Sequence, residues 1–336
     1  MTLQENYSLK ELNTFKIDVK SKYFIEIEKE TDLKEIVKKY HSKGEKILLL
    51  GGGSNILFTK DFDGLVIHLN SKGIEIASEN DDNVVLNCKT GEKWDDVVQY
   101  AVNNDYYGIE NLSLIPGTIG ASPIQNIGAY GAELKDVFDS LEGFFIDDLA
   151  EKRFSLNESE FGYRDSIFKR ELKDKFIITS VKLRLSKEKN FKLNYRDLSD
   201  LNKLRKNITL KKVREHIIKV RESKLPNPDK LGNAGSFFKN PEISQYQLKN
   251  LSTQHYGMPY FKSSDGKIKL PAGWLIEQCG WKGKREGDVA SYHRQALIII
   301  NYGNATSQSI LKFTQEIKDS VISKFGIELE QEVNFY

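Results

Sequence analysis

Apolar residues in the first 70 positions recur with periods that alternate between strand and helix. Short apolar runs predict strands over 23–28, 46–50 and 65–69. Between the first two runs, four apolar residues follow at i, i+3, i+4 and i+7, namely Leu33, Ile36, Val37 and Tyr40. This spacing indicates one face of a helix that begins near Thr31. The order strand, helix, strand, glycine turn, strand predicts a small α/β unit.

The middle of the chain keeps this alternation until a long segment without a period. A strand is predicted over 84–88, and an amphipathic helix follows over 94–102. Residues 115–133 are rich in Gly, Ala and Pro and fit neither a helix nor a strand. Further strands are predicted over 141–147 and 176–185.

The rest of the chain contains a basic helix, a break and a final helix. Residues 200–224 hold nine Lys or Arg against three Asp or Glu, and apolar residues at helical spacing predict a helix with a basic outer face. Leu225-Pro226-Asn227-Pro228 ends that helix. The last helix is predicted over 307–325, with Gly326 as its C-cap. Together these signals predict three domains, over 1–70, 71–225 and 226–336.

The bulk composition excludes several classes of protein. The chain has 336 residues, of which 39% are hydrophobic and 29% charged, as is typical of a globular protein with more than one domain. A net charge of +2 gives no strong attraction to nucleic acid or to anionic lipid. We expect no secretory signal and no membrane span. Two cysteines, Cys88 and Cys279, cannot form a disulfide framework, which predicts a reducing cytoplasm.

The first candidate site is Gly51-Gly52-Gly53-Ser54-Asn55, which follows a predicted strand. Successive backbone N–H groups in such a turn form an anion-binding nest. The loop is not a Walker A motif, because the Gly-Lys-Ser/Thr ending is missing, and it is not a Rossmann fingerprint, because position 56 is Ile. The loop alone is therefore compatible with a plain turn or with a phosphate site.

The second candidate is the segment 114–131, a long stretch of small and turn-forming residues. Such a stretch is unusual as plain loop inside a compact domain. Backbone that closely approaches a large flat ligand would explain it. The residues concerned include Pro116, Gly117, Thr118, Gly120, Ala121 and Ser122. Two such loops together suit a dinucleotide linked by pyrophosphate.

A third feature is the stretch Gly232-Asn233-Ala234-Gly235-Ser236-Phe237-Phe238-Lys239-Asn240-Pro241. Small residues around the hydroxyl of Ser236 let a ligand approach the backbone closely. The two aromatic side chains could exclude water, and Lys239 and Asn240 supply hydrogen-bond donors. The stretch therefore indicates a catalytic serine without its usual base. The alternative is a tight turn that leads into a strand.

These motifs and three others stand in the order of one family. The others are Gln125-Asn126-Ile127-Gly128-Ala129-Tyr130-Gly131, Phe161-Gly162-Tyr163-Arg164-Asp165-Ser166 and Ala272-Gly273-Trp274-Leu275-Ile276-Glu277. From about residue 13 to about residue 333, the chain closely resembles the UDP-N-acetylenolpyruvoylglucosamine reductases, also called UDP-N-acetylmuramate dehydrogenases. Several long and rare motifs in register make this resemblance highly specific.

The resemblance implies an α+β fold with bound flavin. Two N-terminal domains would hold non-covalent FAD in a fold similar to that of vanillyl-alcohol oxidase, and a third α+β domain would bind the substrate. The implied reaction uses NADPH to reduce FAD and then reduces the enolpyruvyl ether of UDP-N-acetylglucosamine to UDP-N-acetylmuramate. This step belongs to bacterial peptidoglycan precursor synthesis.

Three residues match the catalytic positions of that family. Arg164 would hold the substrate carboxylate on its guanidinium fork, and Glu332 would hydrogen-bond the enolic oxygen. Ser236 would give a proton to the α-carbon, a task that needs placement within reach rather than a histidine base. Without the resemblance, Arg164 would be interpreted as a partner of Asp165 or another acid, and Glu332 as an exposed glutamate.

The resemblance also implies binding residues. Those for the cofactor are Gly51, Gly52, Gly53, Ser54, Asn55, Pro116, Gly117, Thr118, Gly120, Ala121, Ser122, Asn126, Ile127, Gly128 and Arg221. Those for the substrate are Tyr130, Tyr195, Lys224, Asn240 and Gln295. Tyr195 matches the family branch in which a tyrosine loop folds over the substrate. Packing for Tyr195 and a solvated helix face for Arg221 are the alternatives.

Two rival functions stay open at this point. One is an FAD-dependent oxidase of the same fold that acts on another sugar or alcohol, although neither glycine loop holds a histidine for covalent flavin attachment. The other is a flavin-free nucleotide- or RNA-binding protein, motivated by the basic segment 200–224. We favour a cytoplasmic monomer that binds a small-molecule substrate, with no nucleic-acid or membrane partner. We expect no metal, because no histidine pair has a zinc-ligand spacing.

Overall fold

The computed structural model describes residues 2–202, 208–262 and 266–336. The part of the predicted basic helix over 203–207 therefore lies outside the described residues. The helices within them are α1 (Glu30–His41), α2 (Trp94–Asn103), α3 (Ser199–Asn202), α4 (Leu210–Lys224), α5 (Gln245–Gln254), α6 (Ala272–Gln278) and α7 (Ser307–Phe325).

The strands range from two to eleven residues in length. They are β1 (Gln4–Ser8), β2 (Lys20–Ile27), β3 (Lys46–Leu50), β4 (Ile56–Leu57), β5 (Phe62–Leu69), β6 (Ile74–Glu79), β7 (Asn83–Lys89), β8 (Gly128–Ala129), β9 (Ala132–Glu133), β10 (Phe138–Phe145), β11 (Glu151–Ser155), β12 (Phe176–Ser186), β13 (Gly232–Ser236), β14 (Glu242–Ile243), β15 (Phe261–Lys262), β16 (Ile268–Lys269), β17 (Arg285–Glu286), β18 (Val289–Tyr292), β19 (Gln295–Asn301) and β20 (Asn334–Phe335).

The chain divides into two compact units. Unit 1 comprises the described residues among 2–7, 20–53 and 62–221. Unit 2 comprises 8–19, 54–61 and the described residues among 222–336. The predicted boundaries at residues 70 and 225 stay predictions.

Unit 1 contains two main sheets, each covered by an amphipathic helix. In the first sheet, of order β1-β2-β5-β3, β5 pairs in parallel with both β2 and β3, and α1 is the crossover between β2 and β3. The acidic first turn and basic last turn of α1 suit its dipole. Its apolar face, which includes Leu33 and Val37, joins a core with Ile25 and Leu65.

The second sheet of unit 1 has the order β11-β10-β12-β7-β6 and antiparallel pairing throughout. It buries Val84, Leu86 and Val181 against the apolar face of α2, which includes Trp94 and Val98. The stretch 115–133 contains only one short 3-10 turn and the two-residue strands β8 and β9, as the missing period predicted.

Unit 2 is built on an antiparallel sheet of order β13-β19-β18-β17. Helix α6 contacts β19 and α7 contacts β18. A capping box at Thr306 begins α7, and Gly326 ends it in the left-handed region at φ 65°, which confirms the predicted C-cap. Two small sheets complete the unit, of order β14-β16-β15 and β20-β4.

Most predicted elements are confirmed within one to three residues at their ends, including α1, α2 and α7. The basic outer face predicted for α4 is wrong for Arg214, which is only 7% exposed because Asp95 on α2 pairs with it. In the part of the chain that the structure describes, no helix has both the length and the apolar composition needed to cross a membrane. The same residues form no cluster of His, Cys, Asp and Glu suited to a metal ion.

Candidate active site

The two predicted cofactor loops of unit 1 pack directly against each other. A Cβ atom built on Gly51 would lie 2.4 Å from Oγ1 of Thr118, and one on Gly52 would lie 3.0 Å from Cα of Gly117. Gly52 thus permits the close approach of two backbones, and Gly51 makes room for the side chain of Thr118. The turn after β3 and the turn before Ile119 therefore form one glycine-lined surface within unit 1.

Backbone hydrogen bonds attach the second loop to the segment that precedes α2. The N–H of Ile119 donates to the carbonyl of Glu92 at 2.8 Å, and the N–H of Gly120 donates to that of Thr90 at 3.0 Å. The hydroxyl of Ser122 donates to the carbonyl of Ile119 at 2.7 Å. Ser122 is thus buried inside the turn and stabilises its shape.

Asn126 fixes the next part of the loop from inside. It is fully buried at φ 44°, and its Nδ2 donates to Oε2 of Glu133 and to the carbonyl of Gly162, both at 3.0 Å. Its Oδ1 accepts from the N–H of Lys135 at 3.0 Å. The side chain therefore connects the 126–135 segment to the turn before Arg164, with Ile127 half-buried beside it.

Arg164 sits in that neighbouring turn and reaches back to the loop. Its backbone is in the left-handed region at φ 54°, and its Nη2 donates to the carbonyl of Gly128 at 2.6 Å. A Cβ atom on Gly128 would lie 2.9 Å from Nη1 of Arg164, so the small residue leaves space for the guanidinium group. The acid next in sequence, Asp165, forms its ion pair with Arg170.

Two predicted substrate tyrosines meet in unit 1. The rings of Tyr130 and Tyr195 are 5.4 Å apart between centroids at an angle of 82°, and Tyr195 is 47% exposed. Asn111 connects their segments, because its Nδ2 donates to the carbonyl of Tyr130 at 2.9 Å and to that of Lys192 at 2.8 Å. The segment that contains Tyr130 and the segment before Tyr195 are therefore held together by the buried amide of Asn111.

Arg221 is the charged neighbour of Tyr130. Burial raises the pKa of Tyr130, whereas the guanidinium group of Arg221, which hydrogen-bonds its hydroxyl, opposes that rise. Burial also lowers the pKa of Arg221. Its Nε is buried and has no hydrogen-bond partner among the described residues. An unsatisfied buried donor of this kind suits an acceptor atom on a bound molecule.

Ser236 ends β13 in unit 2. Gly235 before it has φ 71°, and the side chain of Asn233 accepts the N–H of Gly235 at 3.0 Å, which turns the strand at this point. The pairing of β13 with β19 is irregular between Asn233 and Ser236. Ser236 is half-buried at this turn, so its side chain is partly accessible.

Glu332 lies beside the serine segment through a short antiparallel ladder. The N–H of Glu332 donates to the carbonyl of Phe237 at 2.8 Å, and the N–H of Lys239 donates to that of Glu330 at 2.8 Å. Nδ2 of Asn55 donates to the carbonyl of Glu332 at 3.3 Å. Unit 2 therefore brings together Asn55, Ser236 and Glu332.

The residues after Glu332 are held by the turn that follows Ser54. Strand β20 pairs in parallel with β4, and Asn334 donates from its N–H to the carbonyl of Asn55 at 3.1 Å. Thr59 donates from both its N–H and its hydroxyl to the carbonyl of Tyr336. Glu332 is thus fixed on both sides along the chain.

The other predicted substrate residues of unit 2 lie near α6 or at the end of α4. Oδ1 of Asn240 accepts the N–H of Ala272 at 2.9 Å, at the start of α6. A Cβ atom on Gly273 would lie 2.7 Å from Oε1 of Gln295, so this glycine makes room for the amide. Lys224 is the last residue of α4 and is half-buried.

Sequence reasoning missed three residues of unit 1 that support this site, namely Asp95, Asn111 and Arg214. The signal for Arg214 was its place on the same helix face as Val213 and Ile217, which are buried. No pattern in the sequence pointed to Asp95 or Asn111, because their partners lie on other elements.

Comparison with known protein families gives two matches. Residues 227–336 match the model described as the C-terminal domain of UDP-N-acetylenolpyruvoylglucosamine reductase. Residues 21–146 match the model of an FAD binding domain, which contains both glycine loops. The α+β fold with a flavin-binding part and a C-terminal domain is therefore confirmed.

Individual relatives match the chain along its whole length. It is 48% identical to UDP-N-acetylenolpyruvoylglucosamine reductase of Flavobacterium johnsoniae and 45% identical to that of Amoebophilus asiaticus, over 99% of this chain and 99% of each relative. Among solved structures, the reductase from Thermus caldophilus has a similar fold, with a TM-score of 0.68 and 21% identity over 100% of this chain and 98% of that one. The chain belongs to the UDP-N-acetylenolpyruvoylglucosamine reductase family, a family of FAD-dependent oxidoreductases.

Proposed function

We propose that this enzyme reduces the enolpyruvyl ether of UDP-N-acetylglucosamine to UDP-N-acetylmuramate, with NADPH as the reductant of its FAD. The full-length identity to reductases named for that substrate carries the proposal. The half-buried Ser236, in a segment bound to the segment of Glu332, supports it, because this reaction needs a proton donor at carbon. We also propose that the chain has three domains, with boundaries at residues 70 and 225.

The residues of unit 1 fit FAD. Gly51 and Gly52 make room for the closely packed Thr118 and Gly117, and glycine-rich turns of this kind can form anion-binding nests that suit a pyrophosphate. The unsatisfied Nε of Arg221 suits an acceptor atom of the cofactor. We propose that the cofactor contacts the residues implied above, from Gly51 to Asn55, from Pro116 to Ser122, from Asn126 to Gly128, and Arg221. When bound, FAD supplies hydride transfer.

Each proposed catalytic residue has a separate task. Arg164 offers a planar fork that holds the substrate carboxylate on two hydrogen bonds and offsets the charge that builds on it. Glu332 hydrogen-bonds the enolic oxygen from a carboxyl group that carries or shares a proton. Ser236 gives its hydroxyl proton to the α-carbon, and a proton from solvent restores the hydroxyl.

The remaining assignments concern binding and setting. Tyr130, Tyr195, Lys224, Asn240 and Gln295 bind the nucleotide sugar, and Tyr195 covers it, in keeping with its exposed ring beside Tyr130. We propose a cytoplasmic monomer without nucleic-acid or membrane partners, in line with the net charge of +2. Analytical ultracentrifugation of the purified enzyme measures its molecular mass in solution and so tests whether it is a monomer.

One spectroscopic experiment tests the function. The purified protein is expected to be yellow, with one FAD per chain, and to bleach when NADPH is added without oxygen. Addition of the enolpyruvyl substrate should then restore the oxidised flavin spectrum. Reoxidation by oxygen alone, with no response to the substrate, would favour an oxidase of the same fold. A colourless protein that takes up no FAD would refute the enzyme assignment.

A further inference from the structure

Asp95 and Arg214 form a two-pronged ion pair in unit 1 that the assigned reaction does not use. Nη1 of Arg214 donates to Oδ1 of Asp95, and Nη2 donates to Oδ2, both at 2.7 Å. Nε of Arg214 donates to Oε1 of Gln99 at 2.9 Å. Asp95 and Gln99 lie one helical turn apart on α2, so the whole guanidinium fork is bound by that helix.

The same carboxylate holds the start of the flavin loop. Oδ1 of Asp95 also accepts the N–H of Leu114 at 2.5 Å. Leu114 has φ 58°, a conformation that any residue with a Cβ atom disfavours, so this turn needs an external support. Trp94 supplies two more supporting hydrogen bonds. Its Nε1 donates to the carbonyl of Leu112 at 2.9 Å, and its N–H donates to the carbonyl of Gly117 at 3.0 Å.

Arg214 connects Asp95, which supports the turn at Leu114, to Arg221. The two arginines are seven residues apart on α4, which is close to two helical turns, so they lie on the same face. Arg221 hydrogen-bonds Tyr130, and the negative charge of Asp95 also acts on Arg221. The rotation of α4 about its axis therefore decides where Arg221 points.

We propose that Asp95 and Arg214 are the positioning pair of the flavin site: together they fix the turn at Leu114 that begins the flavin loop, and they set the rotation of α4 that presents Arg221. The inference rests on the proposed contact of that loop and of Arg221 with FAD. A bidentate pair suits this task, because its planar geometry permits one relative orientation of the two helices.

A second ion pair in unit 1 gives a matched control. Asp139 binds Arg184 and Arg153 and lies in β10, an interior strand of the five-stranded sheet, with a side chain only 12% exposed. Its hydrogen bonds among the described residues go to the side chains of Ser140, Arg153 and Arg184, which lie outside the flavin loops and α4. Asp139→Asn therefore removes a similar carboxylate from the same unit without touching the proposed positioning contacts.

The experiment measures FAD binding and the environment of the bound flavin. Apoproteins of the wild type, Asp95→Asn, Arg214→Lys and Asp139→Asn are titrated with FAD by fluorescence quenching, and visible circular dichroism is recorded for each complex. Urea unfolding of each apoprotein reports stability alone. Arg214→Lys keeps the charge but loses the fork, and it replaces Asp95→Asn as the deciding variant where the latter fails to fold.

We expect Asp95→Asn and Arg214→Lys to raise the Kd for FAD at least tenfold and to change the circular dichroism of the bound flavin. Asp139→Asn should stay within twofold of the wild-type Kd, with an unchanged flavin spectrum, even where its apoprotein is less stable. Wild-type Kd and dichroism in both positioning variants would overturn the inference. A wild-type protein that binds no FAD would instead refute the proposed function.

Discussion

The backbone N–H of Glu332 donates to the carbonyl oxygen of Phe237 at 2.8 Å, and Phe237 directly follows Ser236. Two segments of unit 2 that lie far apart in sequence, one with the carboxyl group and one with the hydroxyl group, are thereby held side by side. This hydrogen bond fixes the backbone next to Ser236, the proposed proton donor. The roles of Ser236 and Glu332 can be separated by substitution of one residue at a time.

Ser236→Ala is expected to divide the two half-reactions. Reduction of the flavin by NADPH should stay within twofold of the wild type, because that step needs no proton from the serine. Reoxidation by the enolpyruvyl substrate should slow by about 10²- to 10⁴-fold, the usual contribution of a positioned acid. Stopped-flow absorbance of the flavin measures both rates separately.

Ser244→Ala is the matched control for that variant. The hydroxyl of Ser244 accepts the N–H of Gln247 at 3.1 Å and caps α5 in the same unit. Its loss should cost about 1 kcal/mol of unfolding free energy and leave both half-reactions unchanged. If Ser236→Ala keeps wild-type rates in both steps, the serine is not the proton donor.

Arg164→Lys tests the guanidinium fork. We expect kcat/KM for the substrate to fall about a hundredfold, because lysine keeps the charge but cannot bind a carboxylate on two parallel hydrogen bonds. The FAD content of the purified variant should be unchanged. Arg170→Lys is the control, since Arg170 pairs with Asp165 and Glu160 in the same segment. Equal losses in both variants would assign the effect to the local fold.

Acid pH should remove the contribution of Asp95 to stability. Burial acts to raise the pKa of Asp95, but the hydrogen bonds from Arg214 and from the N–H of Leu114 outweigh it and lower the pKa below its ordinary value of 3.8. A carboxyl group whose pKa is lowered in the folded state stabilises the fold at pH values above its pKa in the unfolded state. This stabilisation is lost as the pH falls through the pKa of the folded state.

The stability difference between the wild-type apoprotein and Asp95→Asn should therefore be constant above about pH 5 and shrink towards about pH 3. Urea midpoints across this range measure it. A difference that stays constant down to the lowest pH would show that the charge of Asp95 does not contribute. Asp139 also has a lowered pKa, so Asp139→Asn shows how much of the acid response is general.

Cys88 should be unreactive in the folded enzyme. It is fully buried in unit 1, and burial raises the pKa of its thiol to about 12. A thiol reagent near pH 8 should modify it only as the protein unfolds in urea. Cys279 is partly exposed and should react earlier, although burial raises the pKa of its thiol as well. Cys88→Ala should remove the late reaction, and Cys279→Ala the early one.

The sequence predicted well those features that depend on local order. The face of α7 and its end at Gly326 follow from residues within one helix, and so do the apolar faces of α1 and α2. The glycine loops were also recognisable, because their chemistry requires small residues in sequence. The resemblance likewise rests on residues that follow one another in sequence. It therefore identified the motif residues but not their contacts.

Long-range contacts were beyond local patterns. Arg214 reads as one more charge on a basic helix, and only Asp95 on α2 explains its burial. The ladder between 237–239 and 330–332 joins segments that share no pattern, so the proximity of Glu332 to the serine could not be derived. The same holds for Asn111, which serves two carbonyl groups on different segments.

Asn126 and Arg164 exchange hydrogen bonds between two turns: the amide of Asn126 donates to the carbonyl of Gly162, and the guanidinium of Arg164 donates to that of Gly128. An insertion or deletion in either turn would break both bonds at once. Over evolution, the lengths of the two turns should therefore be inherited as a pair.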